Sequence, residues 1–385
     1  MKKIAIIGSG AAGISAAASA RKTDVDAEIT IVSEETVYPY FRPALTKLIG
    51  QVEIPPGFFL KNDQWFEKEK ISFITDFNVK KINSGDHLIE SFNGRSLKWD
   101  SLIVATGGSP SVYPEHLKNN SKVTTIRSYS DILNLNKKLK KLTHVTVCGG
   151  GLLGLETAWF LKKSGMEVEV LEFANSLLPR QLDETGGEFL LRKIENCGIK
   201  FHSGTTLNEI SDEGCLLSTG RRIKTDHLIF SMGIRGRWPE FSSDSINTVR
   251  YIEVDNRMMT KYPDVYACGD CASIDGFSTG LWMDAVKQGN CAGINSAGGN
   301  CFYSPESVVA MLLAFDTHVM SYGNLKGDFF EKRTEKILSR IYFEEEKITG
   351  GYCIGDSAFS SVVLKIIKNG IKSEITAPDW IRVTK

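Results

Sequence analysis

Two glycine fingerprints about 140 residues apart constrain this chain more than any other feature in it. The first is Gly8-Ser9-Gly10-Ala11-Ala12-Gly13 and the second is Gly149-Gly150-Gly151-Leu152-Leu153-Gly154. Each follows a short apolar run, Ile4-Ala5-Ile6-Ile7 or Val145-Thr146-Val147-Cys148, that reads as a buried parallel strand. Each also opens an Ala/Leu-rich stretch with helical periodicity. Glycines at this spacing permit a tight turn, close approach of backbone N–H groups to a pyrophosphate, and close packing of helix on strand. The phosphates of a dinucleotide then meet the positive end of a helix. One such turn is common. Two of them predict two dinucleotide sites, one for a tightly held cofactor and one for an exchangeable one.

The rest of the chain repeats one plan twice. After the first fingerprint, Glu28-Ile29-Thr30-Ile31-Val32 reads as a second strand, and Ser33-Glu34-Glu35 ends it. Glu34 lies 21 residues beyond Gly13, where a carboxylate meets an adenosine ribose in this arrangement. Without a ligand it reads as a solvated acidic turn. The run Leu102-Ile103-Val104-Ala105-Thr106-Gly107-Gly108 is a further strand ending in a glycine turn. A second unit begins near Val123; its strand Val168-Glu169-Val170-Leu171 ends in Glu172, and Leu228-Ile229-Phe230-Ser231-Met232-Gly233 echoes the earlier strand and turn. The chain then returns through Val265-Tyr266-Ala267-Cys268-Gly269-Asp270 to a helix expected from Trp282 to about Asn295. The expected fold is α/β, with two nested Rossmann-like dinucleotide-binding domains and a C-terminal α+β domain. Residues 1–115 and 240–301 form the first domain, 116–239 the second and 302–385 the third. In the third, Arg340-Ile341-Tyr342-Phe343 and Gly350–Gly355 read as strands, and Ser360 to Asn369 as an amphipathic helix.

Composition excludes several classes. Lys+Arg and Asp+Glu both number 46, so the chain lacks the basic excess that a nucleic-acid partner requires. Lys137, Lys138, Lys140 and Lys141 cluster at a helix end, where cations suit the dipole, and read as a solvated helix terminus. Met1-Lys2-Lys3 and Ala18-Ser19-Ala20 mimic a signal peptide, but the glycines interrupt the apolar stretch between them. No segment offers the roughly 18 uninterrupted apolar residues of a membrane span. The eight cysteines show no disulfide framework, which points to a reducing, cytoplasmic location. Six histidines lack metal-ligand spacing, so no metal site is expected.

Taken together, the motifs carry a family resemblance. The segments are Gly8–Gly13, Tyr38-Pro39-Tyr40-Phe41-Arg42-Pro43-Ala44-Leu45-Thr46-Lys47, Ala105-Thr106-Gly107, the second fingerprint with Glu156, Ala267-Cys268-Gly269-Asp270, and Trp282 through Gln288-Gly289. In this order they resemble the FAD-dependent pyridine nucleotide oxidoreductases, in the branch of rubredoxin and ferredoxin reductases. The resemblance implies that Gly8, Gly10, Ala11, Ala12 and Gly13 hold the FAD pyrophosphate. It places Glu34, or Ser33 where many relatives carry the carboxylate, at the adenosine ribose. Arg42, Val79, Ala105, Thr106 and Gly107 complete the FAD site, with Val79 contacting adenine through its backbone. Asp270 accepts from the ribityl chain, and Trp282 lies near the flavin ring. Read without the resemblance, Asp270 is a helix N-cap and Trp282 a core residue. Gly149, Gly151, Leu152, Leu153, Gly154, Glu172, Arg180 and Gly233 would hold NADH, with Glu172 on the ribose, 18 residues beyond Gly154. Lys47 and Glu156 are paired as the catalytic residues, the cation stabilising reduced flavin and the carboxylate positioning it. Taken alone, Lys47 is a surface lysine and Glu156 a first-turn helix residue favoured by the dipole.

No cysteine precedes Cys148, so the early redox-active thiol of disulfide reductases is missing. Cys268-Gly269-Asp270-Cys271 has the spacing of a redox pair, but overlaps the expected FAD-binding strand end. The implied activity is electron transfer from NADH through FAD to a small iron protein such as rubredoxin. The alternatives are a flavin oxidase that reduces oxygen directly and a flavoprotein subunit of a larger redox complex. The oligomeric state stays open.

Overall fold

In the computed structural model, which describes residues 1–242, 250–305, 309–345 and 347–368, the first fingerprint joins the strand Lys3–Ile7 to the helix Ala11–Thr23. Only the first residue of that strand is exposed, as expected for a parallel strand covered on both faces. Glu28–Val32 and then Ile71–Ile74 lie to one side of it, and Ser101–Val104 and then Val265–Ala267 to the other, all parallel. The fingerprint strand is therefore central, and its carboxyl end is where ligands bind in such sheets. Val79–Asn83, Leu88–Ser91 and Ser96–Lys98 form a separate antiparallel meander, extended in parallel by Glu240–Phe241.

The helix Ala11–Thr23 packs backbone to backbone on Trp282–Ser296. A Cβ on Gly289 would lie 2.2 Å from the Ala12 carbonyl oxygen, and one on Gly293 2.2 Å from that of Ala16. Glycine is required at both positions for the helices to approach this closely. Ala16 and Ala17, fully buried on the opposing helix, are small for the same reason.

The second fingerprint joins His144–Cys148 to Leu152–Lys163. Its sheet runs Lys200–His202, Glu167–Leu171, His144–Cys148, His227–Phe230, Val123–Thr125, again all parallel with the fingerprint strand central. This second copy is inserted in the chain between the strands Ser101–Val104 and Val265–Ala267 of the first. Toward the C-terminus an antiparallel sheet has the order Ala310–Ala314, Thr317–Gly323, Lys347–Ile354, Leu338–Glu344, Asp328–Arg333. The helix Ser357–Lys368 covers it over a core of Met320, Ile341, Cys353, Phe359 and Val363. This helix begins three residues before the expected Ser360, and Asn369 lies outside the described residues.

The chain divides into two compact units. One is built from Met1–Ala44, Glu53–Ser109 and residues 234–305. The other contains Leu45–Val52, Pro110–Gly233 and the described residues from 309 onward. Among the described residues, no helix is long and apolar enough to cross a membrane. The lysine cluster ends the helix Tyr129–Leu139; Lys138 is not merely solvated there, since its Nζ donates to the Ser121 carbonyl at 3.0 Å.

Candidate active site: two glycine turns and what surrounds them

Within each unit the fingerprint glycines divide the same labour. Gly8 has φ +107° and Gly149 φ +118°, a region that favours glycine, and a Cβ on either would lie 2.3 Å from the carbonyl oxygen of Ala105 or Ser231 respectively. The third glycines lock helix to turn: a Cβ on Gly13 or Gly154 would lie 1.9 Å from the carbonyl oxygen of Gly8 or Gly149. The middle glycines do neither. Gly10 and Gly151 have ordinary extended backbones, and a Cβ on either would meet nothing within 4 Å. Packing and backbone conformation therefore leave both middle glycines unexplained. Both are also N-caps without a side-chain hydrogen bond, and neither following helix has an acidic residue in its first turn. Each turn presents unpaired N–H donors and an uncompensated dipole to open space, as a pyrophosphate requires. The residues fit a dinucleotide at both turns.

The ends of the second strands differ. In the second unit Glu172 Oε2 accepts from the Gly150 N–H at 2.6 Å and Oε1 from the Ala174 N–H at 2.7 Å, fixing the carboxylate beside its glycine turn. The equivalent residue after Glu28–Val32 is Ser33, buried, with the Ser9 hydroxyl donating to it at 3.0 Å. The carboxylate has moved one residue on, to Glu34. There it forms a two-pronged ion pair with Arg237, at 2.6 and 2.5 Å. Arg237 also ties back to the Thr106-Gly107 turn, its N–H donating to the Gly107 carbonyl at 2.9 Å and its own carbonyl accepting from the Thr106 hydroxyl. Sequence reasoning missed Arg237, 203 residues from Glu34, because no local pattern announces such a partner.

Arg42 stacks over Tyr40 at 5.1 Å and pairs with Glu35 at 3.0 Å, while Glu35 also accepts from the Tyr40 hydroxyl at 2.8 Å. Val79 is buried at the start of its strand. Asp270 is not a helix N-cap. It lies inside the short 3₁₀ turn Gly269–Cys271, which Gln288 holds by accepting from the Gly269 N–H at 2.8 Å. Trp282 is half-buried as the first residue of its helix, edge-on to Phe41 at 5.0 Å. In the second unit Gly233 has φ +82° and open space, Leu152 is half-buried, Leu153 is exposed, and Arg180 is exposed on the loop after Glu172.

Lys47 and Glu156 belong to the same unit, yet no ion pair joins them. Thr46, which sequence reasoning did not single out, donates its hydroxyl to Glu156 Oε2 at 3.2 Å; Lys47 is exposed and acts on the carboxylate only through its field. Glu156 is also not a first-turn residue. The helix starts at Leu152, so Glu156 stands in the second turn, past most of the dipole's reach. Burial pushes its carboxyl up to about 7, against the opposing effects of Thr46 and Lys47.

All eight cysteines are free thiols. Cys268 and Cys271 are fully buried, burial pushes both thiols up, and Cys271 Sγ donates to the Val104 carbonyl at 3.3 Å. Three of the histidines have structural partners. His227 Nε2 meets the Thr124 hydroxyl at 2.7 Å, His202 Nε2 meets Glu169 at 2.7 Å, and His87 stacks on Trp99 at 4.4 Å. Among the described residues, no group of three His, Cys, Asp or Glu could hold a metal ion.

Two parallel sheets, each with its glycine turn at the carboxyl end of the central strand, define a double dinucleotide-binding oxidoreductase. The chain belongs to the pyridine nucleotide-disulphide oxidoreductase family, whose model matches residues 2–289. It is an FAD-dependent enzyme that oxidises or reduces a nicotinamide dinucleotide. It is similar to the NADH-rubredoxin oxidoreductase of Clostridium acetobutylicum, 29% identical over 95% of this chain and 94% of that protein. The crystal structure of the NADH:rubredoxin oxidoreductase from that organism matches over 100% of both chains with a TM-score of 0.82 and 28% identity. An NADH oxidase of Methanocaldococcus jannaschii is 30% identical over 78% of this chain and 71% of its own length. A ferredoxin reductase from Rhodopseudomonas palustris shares the fold, with a TM-score of 0.87 at 21% identity over 98% of this chain and 96% of that one.

Proposed function

We propose that this chain takes electrons from NADH into FAD and delivers them to a small iron protein, rubredoxin or one like it. The observation that carries the reading is the pair of open, uncapped glycine turns in a chain whose thiols are all free and none near the first turn's sequence. Two dinucleotides can be held, and no early cysteine pair stands ready to take electrons from the flavin, so the acceptor is external. Similarity to a rubredoxin oxidoreductase along nearly the whole chain supports the acceptor class. In this reading residues 1–115 and 240–301 hold FAD, 116–239 hold NADH, and 302–385 form a third domain.

Gly8, Gly10, Ala11, Ala12 and Gly13 receive the FAD pyrophosphate, with Ser33, Glu34, Arg42, Val79, Ala105, Thr106, Gly107, Asp270 and Trp282 around the rest. Gly149, Gly151, Leu152, Leu153, Gly154 and Gly233 receive NADH. FAD, when bound, supplies acceptance of a hydride and release of single electrons. The chain's own work is positioning, holding the two dinucleotides in near-attack geometry. Lys47 places positive charge, and Glu156 a titratable carboxyl, beside the transfer. Glu172, held by two backbone N–H groups, accepts from the adenosine ribose and repels a 2′-phosphate, although Arg180 on the same loop could offset that repulsion. NADH is therefore preferred over NADPH, by at least about tenfold in kcat/KM, or roughly 1.4 kcal/mol.

Direct reduction of oxygen is the second reading, favoured by similarity to the M. jannaschii NADH oxidase. Anaerobic mixing with NADH, or with NADPH at equal concentration, decides the first half by bleaching of the flavin absorbance. Adding oxidised rubredoxin, or air, to the reduced protein decides the second. Reoxidation by rubredoxin well ahead of air supports electron delivery to an iron protein. Equal or faster reoxidation by air makes the chain an oxidase, and no bleaching by either coenzyme rejects both readings.

A further inference from the structure

The loop between Glu172 and the helix Glu184–Asn196 is held from an unexpected direction. The N-cap of that helix is Asp183, whose Oδ1 accepts from the Gly186 N–H at 2.8 Å. The same carboxylate accepts three more hydrogen bonds, all from the C-terminal antiparallel sheet. Tyr352 donates to Oδ1 at 2.9 Å, Arg340 donates to Oδ2 at 2.5 Å, and the Tyr342 hydroxyl donates to Oδ2 as well. Strand register explains how three donors converge. Arg340 and Tyr342 are two apart on Leu338–Glu344 and so share a face, and Tyr352 pairs directly with Arg340 across to Lys347–Ile354. Glu331, opposite Arg340 on its other side, steadies the guanidinium at 2.6 Å.

Two glycines in the first turn of the helix complete the connection. Glycine is unfavourable in a helix, so a pair of them asks for a reason. A Cβ on Gly186 would lie 3.0 Å from the ring of Tyr352, which is fully buried; a Cβ on Gly187 would lie 3.2 Å from the carbonyl oxygen of Leu177. The turn is thus fitted to the sheet on one side and to the loop on the other. Leu177, Leu178 and Leu182 are buried, and Leu178 holds φ +50°, a conformation a leucine keeps only where its surroundings enforce it. At the loop's other end stands Glu172, fixed by Gly150 and Ala174.

We propose that the C-terminal sheet sets the geometry of the coenzyme-specificity loop through Asp183, making Asp183, Arg340, Tyr342 and Tyr352 positioning residues for nicotinamide coenzyme binding. This rests on the reading that Glu172 receives the coenzyme ribose. It gives the third domain a part in coenzyme recognition from within its own unit. None of the four side chains needs to touch NADH. Their effect is on where Glu172 and residues 173–182 stand.

The FAD-loaded full chain tests this with Arg340→Met, Tyr342→Phe and Glu172→Ala. Steady-state reduction of ferricyanide by NADH should show KM raised about threefold or more in Arg340→Met, with kcat little changed and FAD content as in the parent. Arg340→Lys, which restores a cation without the fork, should recover part of the loss. Trypsin cleavage after the exposed Arg180 gives a readout free of turnover. It should quicken several-fold in Arg340→Met, because a loosened loop opens more often. Unchanged KM in Arg340→Met alongside a raised KM in Glu172→Ala overturns the proposal and leaves the coenzyme reading standing. Unchanged KM in Glu172→Ala rejects that reading instead, and the proposal with it. Unchanged cleavage after Arg180 shows that the sheet does not hold the loop. Should Arg340→Met fail to fold, Tyr342→Phe removes a single hydroxyl and is held to the same outcomes.

Discussion

A carboxyl lifted to about 7 is the residue-scale feature with the clearest consequence in solution. An unperturbed glutamate carboxyl titrates at 4.5, so between that value and about 7 the native state holds a proton on Glu156 that the unfolded chain has released. Stability then falls as pH rises through this window, and the loss is complete above it. Glu156→Gln removes the titration. Melting of variant and parent should nearly coincide at pH 5, and the variant should melt higher at pH 8 by roughly 2–4 °C. A difference independent of pH would mean that the carboxyl titrates normally. Of this pocket the sequence showed Lys47 and Glu156 through their motifs, but not Thr46, whose hydroxyl rather than the lysine meets the carboxylate. Nor could it choose between Ser33 and Glu34. The pairing of Ile7 with Val32, which sets Ser33 level with the glycine turn, is not written in the local sequence, and both residues stay in the proposed site.

Among the elements, the strand–turn–helix of the fingerprint was the most legible, because its signal is local. Apolar run, glycine spacing and helical periodicity all fall within about twenty residues, and the observed strands and helices begin within a residue or so of the expected ones. The reason for Gly289 and Gly293 was not legible. They face a helix some 270 residues earlier in the chain, and nothing near them in sequence records that contact. The two kinds of glycine in the turn should respond differently to substitution. Gly13→Ala sets a methyl against the Gly8 carbonyl and should give little folded protein. Gly10→Val starts from open space and an extended backbone, so it should fold yet retain FAD at least about tenfold more weakly. The ratio of flavin to protein absorbance, with circular dichroism as the folding control, measures both. Full flavin in a folded Gly10→Val protein would remove the pyrophosphate from this turn.

For the whole molecule, the duplicated plan was readable because two copies of one motif order recur, with the second inserted into the first. The C-terminal sheet was readable only in part. Two of its five strands stood out; the edge strand Asp328–Arg333 carries a mixed polar sequence, and the other edge, Ala310–Ala314, is a five-residue apolar run too short to tell from a buried helix segment. The placement of Leu45–Val52 with the second unit had no signature at all, since those eight residues look like a continuation of Tyr38–Ala44.

The cysteines have a consequence for how much charge the molecule can store. Disulfide enzymes of this family hold reducing equivalents on sulfur as well as on flavin, and so can be loaded twice. Here every thiol is free, the Cys268–Cys271 pair is sealed in the core, and the Cys271 thiol donates to the carbonyls of Val104 and Cys268. No sulfur reservoir is therefore expected, and the expected capacity is two electrons per flavin. An anaerobic dithionite titration should reach its end point at one equivalent of reductant per FAD, and uptake of a second would place a hidden redox pair in the chain. Such a carrier cannot buffer its cargo: each hydride it takes must be passed on before the next can enter.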